Sequence, residues 1–420
     1  MRHCTLWIWG LWMAQGLLRA QEGEAVASRL RALEEQVRAL QAQVRSLETA
    51  VAASSAPAPN PAAPPPAASV PAAASPSQGA TATLPVYGGA TAASKVFNPD
   101  IGVVGNFIGG VGRNPANAFP ALSLRESEFG FQAIIDPYAR GDFFLSIGEQ
   151  GAEIEEGYIT FPALPGGFSL RGGRMRATFG KINAMHNHVL PWLDRPLVTY
   201  NLLGGDPAES DAGIKDEGIS ISRILPSPRG LFLEATTEVY RGDTGSLFKA
   251  SRHSDVSTIS RLRAYRDLTE STNLEIGGSY ARGHNALGSD FSTQLFGTDA
   301  TLRWKPLRRA IYRSFNARTE VDWSRREQPG RTLAAHGFFT SAEYQFARRW
   351  FAGARIDWSE RALRPDSHDS GESAVLTFWP SEFSQVRAQL RRTKYAEGFI
   401  ANELLFQFQC SLGAHGAHPF

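Results

Sequence analysis

From about Asn98 onward the chain repeats one pattern: stretches in which every second residue is apolar and the residues between are polar or charged. Over 314–323, Phe315, Ala317, Thr319, Val321 and Trp323 alternate with Ser314, Asn316, Arg318, Glu320 and Asp322. Over 338–345, Phe338, Thr340, Ala342 and Tyr344 alternate with Ser341, Glu343 and Gln345. Over 352–359, Ala352, Ala354, Ile356 and Trp358 alternate with Arg355, Asp357 and Ser359. Successive side chains of a strand point to opposite faces, so each stretch is a strand with one apolar and one charged face. A soluble sandwich would hide the apolar face in a core. Here Trp and Phe flank the apolar rows, as at Trp350 and Trp379, and the polar rows carry Arg, Asp and Glu. Lipid outside and water inside satisfies both faces. The expected fold is therefore an all-β transmembrane antiparallel barrel spanning residues 98–420.

Connection lengths give a second line of argument. About 16 strands can be marked. Alternate connections are tight and turn-rich: Asp136-Pro137-Tyr138, Pro162 to Gly166, Pro226-Ser227-Pro228, Asp267-Leu268-Thr269, Lys305-Pro306-Leu307, Ala347-Arg348-Arg349 and Trp379-Pro380-Ser381. Those between them are expected to be longer loops: Gly242–Asp255, Gly283–Ser292, Glu327–Ala335, Ala362–Gly371 and Lys394–Asn402. A tight turn near Gln150-Gly151 is the exception. Short turns on the periplasmic side and long loops outside are what such barrels show. The last strand ends in Phe420 and alternates back through Leu412, Phe408 and Phe406. That resembles the signal by which the barrel-assembly machinery recognises its clients.

Composition agrees with this. The chain has 420 residues, a net charge of +2 and 20% charged residues, and a mean hydropathy of −0.24. Alternating faces average out, so a membrane barrel has the hydropathy of a soluble protein. A charge so near zero argues against a nucleic-acid partner. No run of apolar residues is long enough for a membrane-crossing helix. Cys4 and Cys410 are the two cysteines. Cys4 lies in the targeting segment, which leaves Cys410 without an intramolecular disulfide partner.

Three segments precede the barrel. Residues 1–20 have a short basic start, an apolar run and a small residue at Ala20, which is a secretory signal peptide. Over 21–52, Val26, Leu30, Leu33, Val37, Leu40, Val44, Leu47 and Val51 are spaced alternately four and three apart. This is a heptad seam, and a two-position seam needs partner chains, so a homo-oligomer is expected. Val at a and Leu at d favour a dimer. Arg29-Leu30-Arg31-Ala32-Leu33-Glu34 resembles the signature of three-stranded coils, and a trimer is the preferred reading. Residues 53–97 are Ala, Pro, Ser and Gly with almost no charge, an extended spacer that cannot bury a core.

The run Arg171-Gly172-Gly173-Arg174-Met175-Arg176-Ala177-Thr178-Phe179-Gly180-Lys181 looks like the Arg/Gly/Phe-Gly strand-end motif of the phosphate-selective-porin-like families. The whole layout resembles outer-membrane porins that carry an N-terminal periplasmic coiled coil. The resemblance implies a trimeric barrel in the outer membrane, open to small hydrophilic solutes. It also implies that the third external loop folds into the lumen. Phosphate selectivity is not carried over, because the lysine cluster on which it rests is missing here.

Under this reading the third external loop runs from Ile182 to Gly213 and sets the constriction. It is too apolar for a solvated loop, with Val189, Leu190, Trp192, Leu193, Leu197 and Val198. Candidate pore-lining residues are Arg174, Arg176, His186, His188, Asp194, Arg195, Arg261, Arg263, Arg318, Glu320, Asp322, Glu343, Arg355, Asp357, Arg387 and Arg391. Opposed basic and acidic patches among them would set up a transverse field. His186 and His188, taken with His415 and His418, suggest a metal, but the sequence places no third Cys or carboxylate ligand nearby. No metal and no cofactor are expected. The absence of a G-x-S-x-G elbow, a P-loop or H-E-x-x-H argues against an enzyme. Two alternatives to a passive channel remain. One is a structural barrel tethering the outer membrane to the cell wall. The other is an uptake receptor, which would need a plug domain ahead of the barrel.

Overall fold

The computed structural model describes residues 99–116, 120–148, 151–205 and 212–413. The signal peptide, the coiled-coil seam, the spacer, His415, His418 and Phe420 lie outside them. The described residues form sixteen antiparallel strands closed into one barrel. In chain order they are β1 (Asp100–Gly112), β2 (Ser123–Asp136), β3 (Ala139–Gly148), β4 (Gly151–Leu164), β5 (Phe168–Arg176), β6 (Lys215–Ile224), β7 (Leu231–Tyr240) and β8 (Ser257–Thr269). They continue with β9 (Thr272–Asn285), β10 (Gly288–Trp304), β11 (Ser314–Gln328), β12 (Arg331–Ala347), β13 (Trp350–Arg361), β14 (Arg364–Ser381), β15 (Ser384–Lys394) and β16 (Ile400–Gly413). Each strand pairs with its chain neighbours, and β1 pairs with β16 from Gly102↔Gly413 to Gly112↔Glu403. Closure leaves no unpaired edge, which is what a strand structure needs in lipid.

The faces are sorted in the reverse of a soluble protein. On β15 the buried residues are Gln385, Arg387, Gln389, Arg391 and Thr393, whereas Val386 and Leu390 are exposed. Leu262, Ile276, Phe338, Ile356, Leu376, Leu404, Phe406, Phe408 and Leu412 are likewise exposed. This outer apolar surface is bounded by aromatic groups. Trp350 stacks on Phe378 at 4.5 Å near one rim, and Trp358 stacks on Phe338 at 6.2 Å towards the other. Trp350 and Trp358 are ~26 Å apart along β13 at ~3.3 Å per residue. That is close to the apolar band of ~25 Å that such barrels present to lipid. No helix among the described residues is long and apolar enough to cross a membrane.

Several connections differ from the sequence reading. Strands β9 and β10 meet across Ala286-Leu287, β11 and β12 across Pro329-Gly330, and β13 and β14 across Ala362-Leu363. Segments expected as long loops are thus hairpins whose ladders continue past the aromatic rim. Beyond the lipid a strand has no need of an apolar face, so its sequence loses the alternation and resembles a loop. At the opposite end the turns fall at Glu270-Ser271 and Glu382-Phe383, so Asp267-Leu268-Thr269 and Trp379-Pro380-Ser381 are strand. Pro380 is accommodated by an irregularity in the register between Phe378 and Ser381. The connection at Lys305 extends through Arg313.

Candidate functional site

The described residues of the long connection from β5 to β6 are structured and sit inside the barrel. Among them are a short 3-10 turn (Asn187–Val189) and a helix, α1 (Leu197–Leu202). Its ends are pinned together: Ala177 N donates to Ile214 O (3.0 Å), and the Asn183 amide donates to Ala177 O (2.8 Å) and Ile214 O (2.9 Å). Phe179, Ile182, Leu190, Trp192, Val198, Leu202 and Leu203 are buried as one apolar cluster. Burial of such side chains stabilises by about 1.5–3 kcal/mol each, enough to order a loop without period-two structure.

Polar wall residues hold this loop from several sides. Thr178 N donates to Glu238 on β7 (2.8 Å), Gly180 N to Ser279 on β9 (3.0 Å) and Lys181 N to Glu320 on β11 (2.9 Å). The Lys181 ammonium pairs with Glu275 at 2.6 Å. Gly180 has φ +60°, and a Cβ there would lie 2.1 Å from Glu320 Oε1. Only glycine lets the backbone turn in against that carboxylate. Across the lumen, the Asp194 carboxylate accepts from Arg355 (3.0 Å), Arg391 (3.0 Å) and Gln389 (2.7 Å). Burial opposes its charge, but Arg355 and Arg391 hold its carboxyl well below the usual range. Arg387 donates to Leu190 O (2.8 Å), and Leu197 N donates to Asp357 (3.2 Å). Trp192 packs edge-on to Phe339 of β12, and Arg355 lies 4.7 Å over its indole.

A third anchor is made by histidines. His186 Nδ1 lies 2.8 Å from Glu128 on β2, and its Nε2 lies 2.6 Å from Glu156 on β4. His188 Nδ1 is 3.3 Å from the same Glu128 oxygen. All four are buried. Burial opposes charge on His186, but Glu155, Glu128 and Glu156 outweigh it and hold the imidazole's pKa well above its ordinary value.

The structure brings most of the candidate pore residues to the inner face but distributes their roles. Arg261 pairs with Asp299 (2.7 Å), and Arg263 pairs with Glu234 (2.6 Å). Arg318, Glu320, Asp322 and Glu343 occupy the inward phase of β11 and β12. Arg355, Asp357, Arg387 and Arg391 line the β13–β15 wall beneath the loop. Two candidates are corrected. Arg174 is cross-strand partner to Glu217, on the outward phase of β6, and bonds Glu217 and Glu153 at the rim. Arg171, three cross-strand pairs away from Glu217 and so on the other phase, faces inward with Ser220. Arg195 is 1% exposed, and its guanidinium is spent inside the loop on Asn187 Oδ1, Ile182 O and Met185 O. It knits the loop and does not line a pore. Arg176 is buried against Glu155 (3.2 Å).

Sequence reasoning missed Glu126, Glu128, Glu155, Glu156 and Gln389. Glu126 and Glu128 have the strand spacing that would have marked an inward pair. Glu155 and Glu156 are both buried because the β3–β4 register shifts between Phe144 and Leu145, and no alternation signals that. The expectation that no carboxylate stands near the histidines is also corrected: β2 and β4 bring four of them there.

Open space lies on both sides of the loop. A cavity of about 520 Å³ is lined by Arg140, Asp142, Arg171, Glu234, Arg263 and Glu275, with Lys181 and His186 of the loop. Another of about 720 Å³ is lined by Tyr200, Asn201, Arg361, Asp369 and Tyr395.

A closed sixteen-strand barrel with lipid-type outer face and a polar interior is the fold of an outer-membrane porin. Comparison with solved structures agrees. The chain matches OprB of Pseudomonas putida with TM-score 0.52 and 11% identity, covering 76% of this chain and 95% of that one. It matches an anion-selective porin of Comamonas acidovorans with TM-score 0.50 and 12% identity, over 74% and 98%. It matches the outer-membrane protein OmpT of Vibrio cholerae, in a trimer form, with TM-score 0.50 and 8% identity, over 75% and 99%. In sequence it is 26% identical over 393 residues to an uncharacterized protein of Aquifex aeolicus (strain VF5), covering 78% of this chain and 81% of that protein. No family model matches the chain.

Proposed function

We propose that the protein is a porin-type passive diffusion channel for small hydrophilic solutes in the bacterial outer membrane, with the loop between β5 and β6 as its constriction. The observation that carries this reading is the loop's position: ordered inside the lumen, held by Glu238, Glu320, Gln389 and Arg391, with open cavities on either side. Paired charges such as Arg263–Glu234 line the approach and would let hydrated solutes pass without an apolar barrier. The porin fold, shared with proteins of which one is described as anion-selective, supports the same reading. Three copies per channel unit fit the heptad seam, and the N-terminal segments would then lie in the periplasm. Deletion of residues 182–203, measured in planar lipid bilayers, is expected to raise single-channel conductance severalfold. Unchanged conductance would reject the loop as constriction.

A second reading has one observation in its favour. The loop is tied to walls on opposite sides, which would suit a barrel kept closed and used to tether the outer membrane to the cell wall. On that reading the wild-type barrel is silent in bilayers and conducts only after the deletion.

A further inference from the structure

A dense cluster of ionisable groups lies where His186 and His188 meet the wall. Glu126 and Glu128 come from β2, and Glu155 and Glu156 from β4; all four are buried. Arg176 pairs with Glu155 Oε1 at 3.2 Å. Four carboxylates and two imidazoles are thus gathered away from water. Buried carboxylates are costly unless positive charge sits among them, which a protonated His186 or a bound cation can supply.

The donor atoms converge. His186 Nδ1, His188 Nδ1 and a Glu128 carboxylate oxygen lie within 4.8 Å of one another. Glu128 Oε2 is 2.8 Å from His186 Nδ1 and 3.3 Å from His188 Nδ1. Glu155 Oε2 is 3.6 Å from His186 Nδ1, while its Oε1 pairs with Arg176. Ligands at ~2.0–2.1 Å around a tetrahedral ion are ~3.4 Å apart, so these separations need only small adjustments. Outer groups are also in place. His186 Nε2 is 2.6 Å from Glu156, the carboxylate-to-histidine contact that orients a metal-bound imidazole. The Asn106 amide donates to Glu126 at 3.1 Å, and Phe144 packs edge-on to the His186 ring.

We propose that His186, His188 and Glu128 bind one divalent transition-metal cation, which fastens the inward loop to β2. Imidazole nitrogen with carboxylate oxygen suits zinc and its first-row neighbours over calcium or magnesium. The site does not depend on the channel reading, because a conducting barrel and a silent one would bind the ion alike.

The test uses the full chain folded in detergent, stripped with chelator and titrated with zinc chloride by calorimetry, with cobalt(II) absorption as a second readout. One zinc per chain is expected, with a visible cobalt band typical of nitrogen and oxygen ligands. His188→Gln and Glu128→Gln are expected to weaken binding at least tenfold. A control, His336→Gln with His368→Gln near Trp358, is expected to leave it unchanged. Absence of one-to-one binding in the wild type overturns the proposal without recourse to any variant. So does binding that survives undiminished in folded His188→Gln and Glu128→Gln. Conductance of the same zinc-free and zinc-loaded samples separates failure of this site from failure of the channel reading.

Discussion

The barrel wall and the loop inside it are both rich in apolar side chains, but they use them oppositely. On the wall, Leu262, Ile276 and Leu390 stand exposed on the outside, one every second residue. In the loop, Phe179, Leu190, Trp192 and Leu202 follow no period and are sealed in the interior. The wall is held by its backbone ladder, so its side chains are free to answer to lipid and water. The loop has little ladder of its own and is held by side chains: its apolar cluster, the Asp194 cage and the glutamates that accept its N–H groups. A wall substitution should therefore act through the membrane, and a loop substitution through the anchors.

The strongest way to break this contrast is at Asp194. Asp194→Ala leaves Arg355 and Arg391 buried with one carboxylate fewer, and breaking a buried pair costs about 3–5 kcal/mol. The expected result is a loosened loop in an intact barrel: noisier, larger conductance with an unchanged β-sheet spectrum. Loss of the whole barrel would show that the wall depends on the loop. Next is Leu390→Arg, midway between the aromatic rims on the lipid face. It should cost about 2–4 kcal/mol in urea unfolding from vesicles and leave conductance alone. Gly180→Ala forces a Cβ onto Glu320 at positive φ, a strain of about 1–3 kcal/mol. It should shift conductance but leave the heat-modified gel mobility of the barrel unchanged.

The smallest effect is expected outside both regions. Glu397, in the connection between β15 and β16, pairs with Arg361 and Arg364, and its bond to Arg361 lowers its pKa to about 2. Because the folded pKa is depressed, this contribution is full above the unfolded value of 4.5 and is lost as pH falls through about 2. The carboxylate is largely exposed, so screening keeps the contribution small. Thermal unfolding from pH 7 to 5 should not distinguish Glu397→Gln from a pH-independent offset, and the difference should shrink only below 4.5.

The wall was legible because alternation is local. The alternation over 314–323 and 352–359 follows from the residues themselves, and the inward phase of Arg318, Glu320, Arg355 and Asp357 came with it. Hairpin tips beyond the rim were not legible, since strands outside lipid lose the apolar phase. Within the site, the loop's apolar character announced that it was not solvated, but its partners did not appear. Glu128 and Glu156 are far from His186 in sequence, and no local rule joins them. Arg195 looked like a lining charge and is an internal clamp, because whether a guanidinium meets water or carbonyls depends on how the loop folds back.

Sequence alone determined the barrel, its approximate size and its inside-out polarity, because strand periodicity and the needs of lipid and water act residue by residue. Tertiary structure alone decided what fills the lumen. The meeting of β2, β4, β11 and β15 around one irregular loop places Glu128 beside His186 and Asp194 between two arginines. Such contacts arise only once a closed ladder brings distant strands to a common interior.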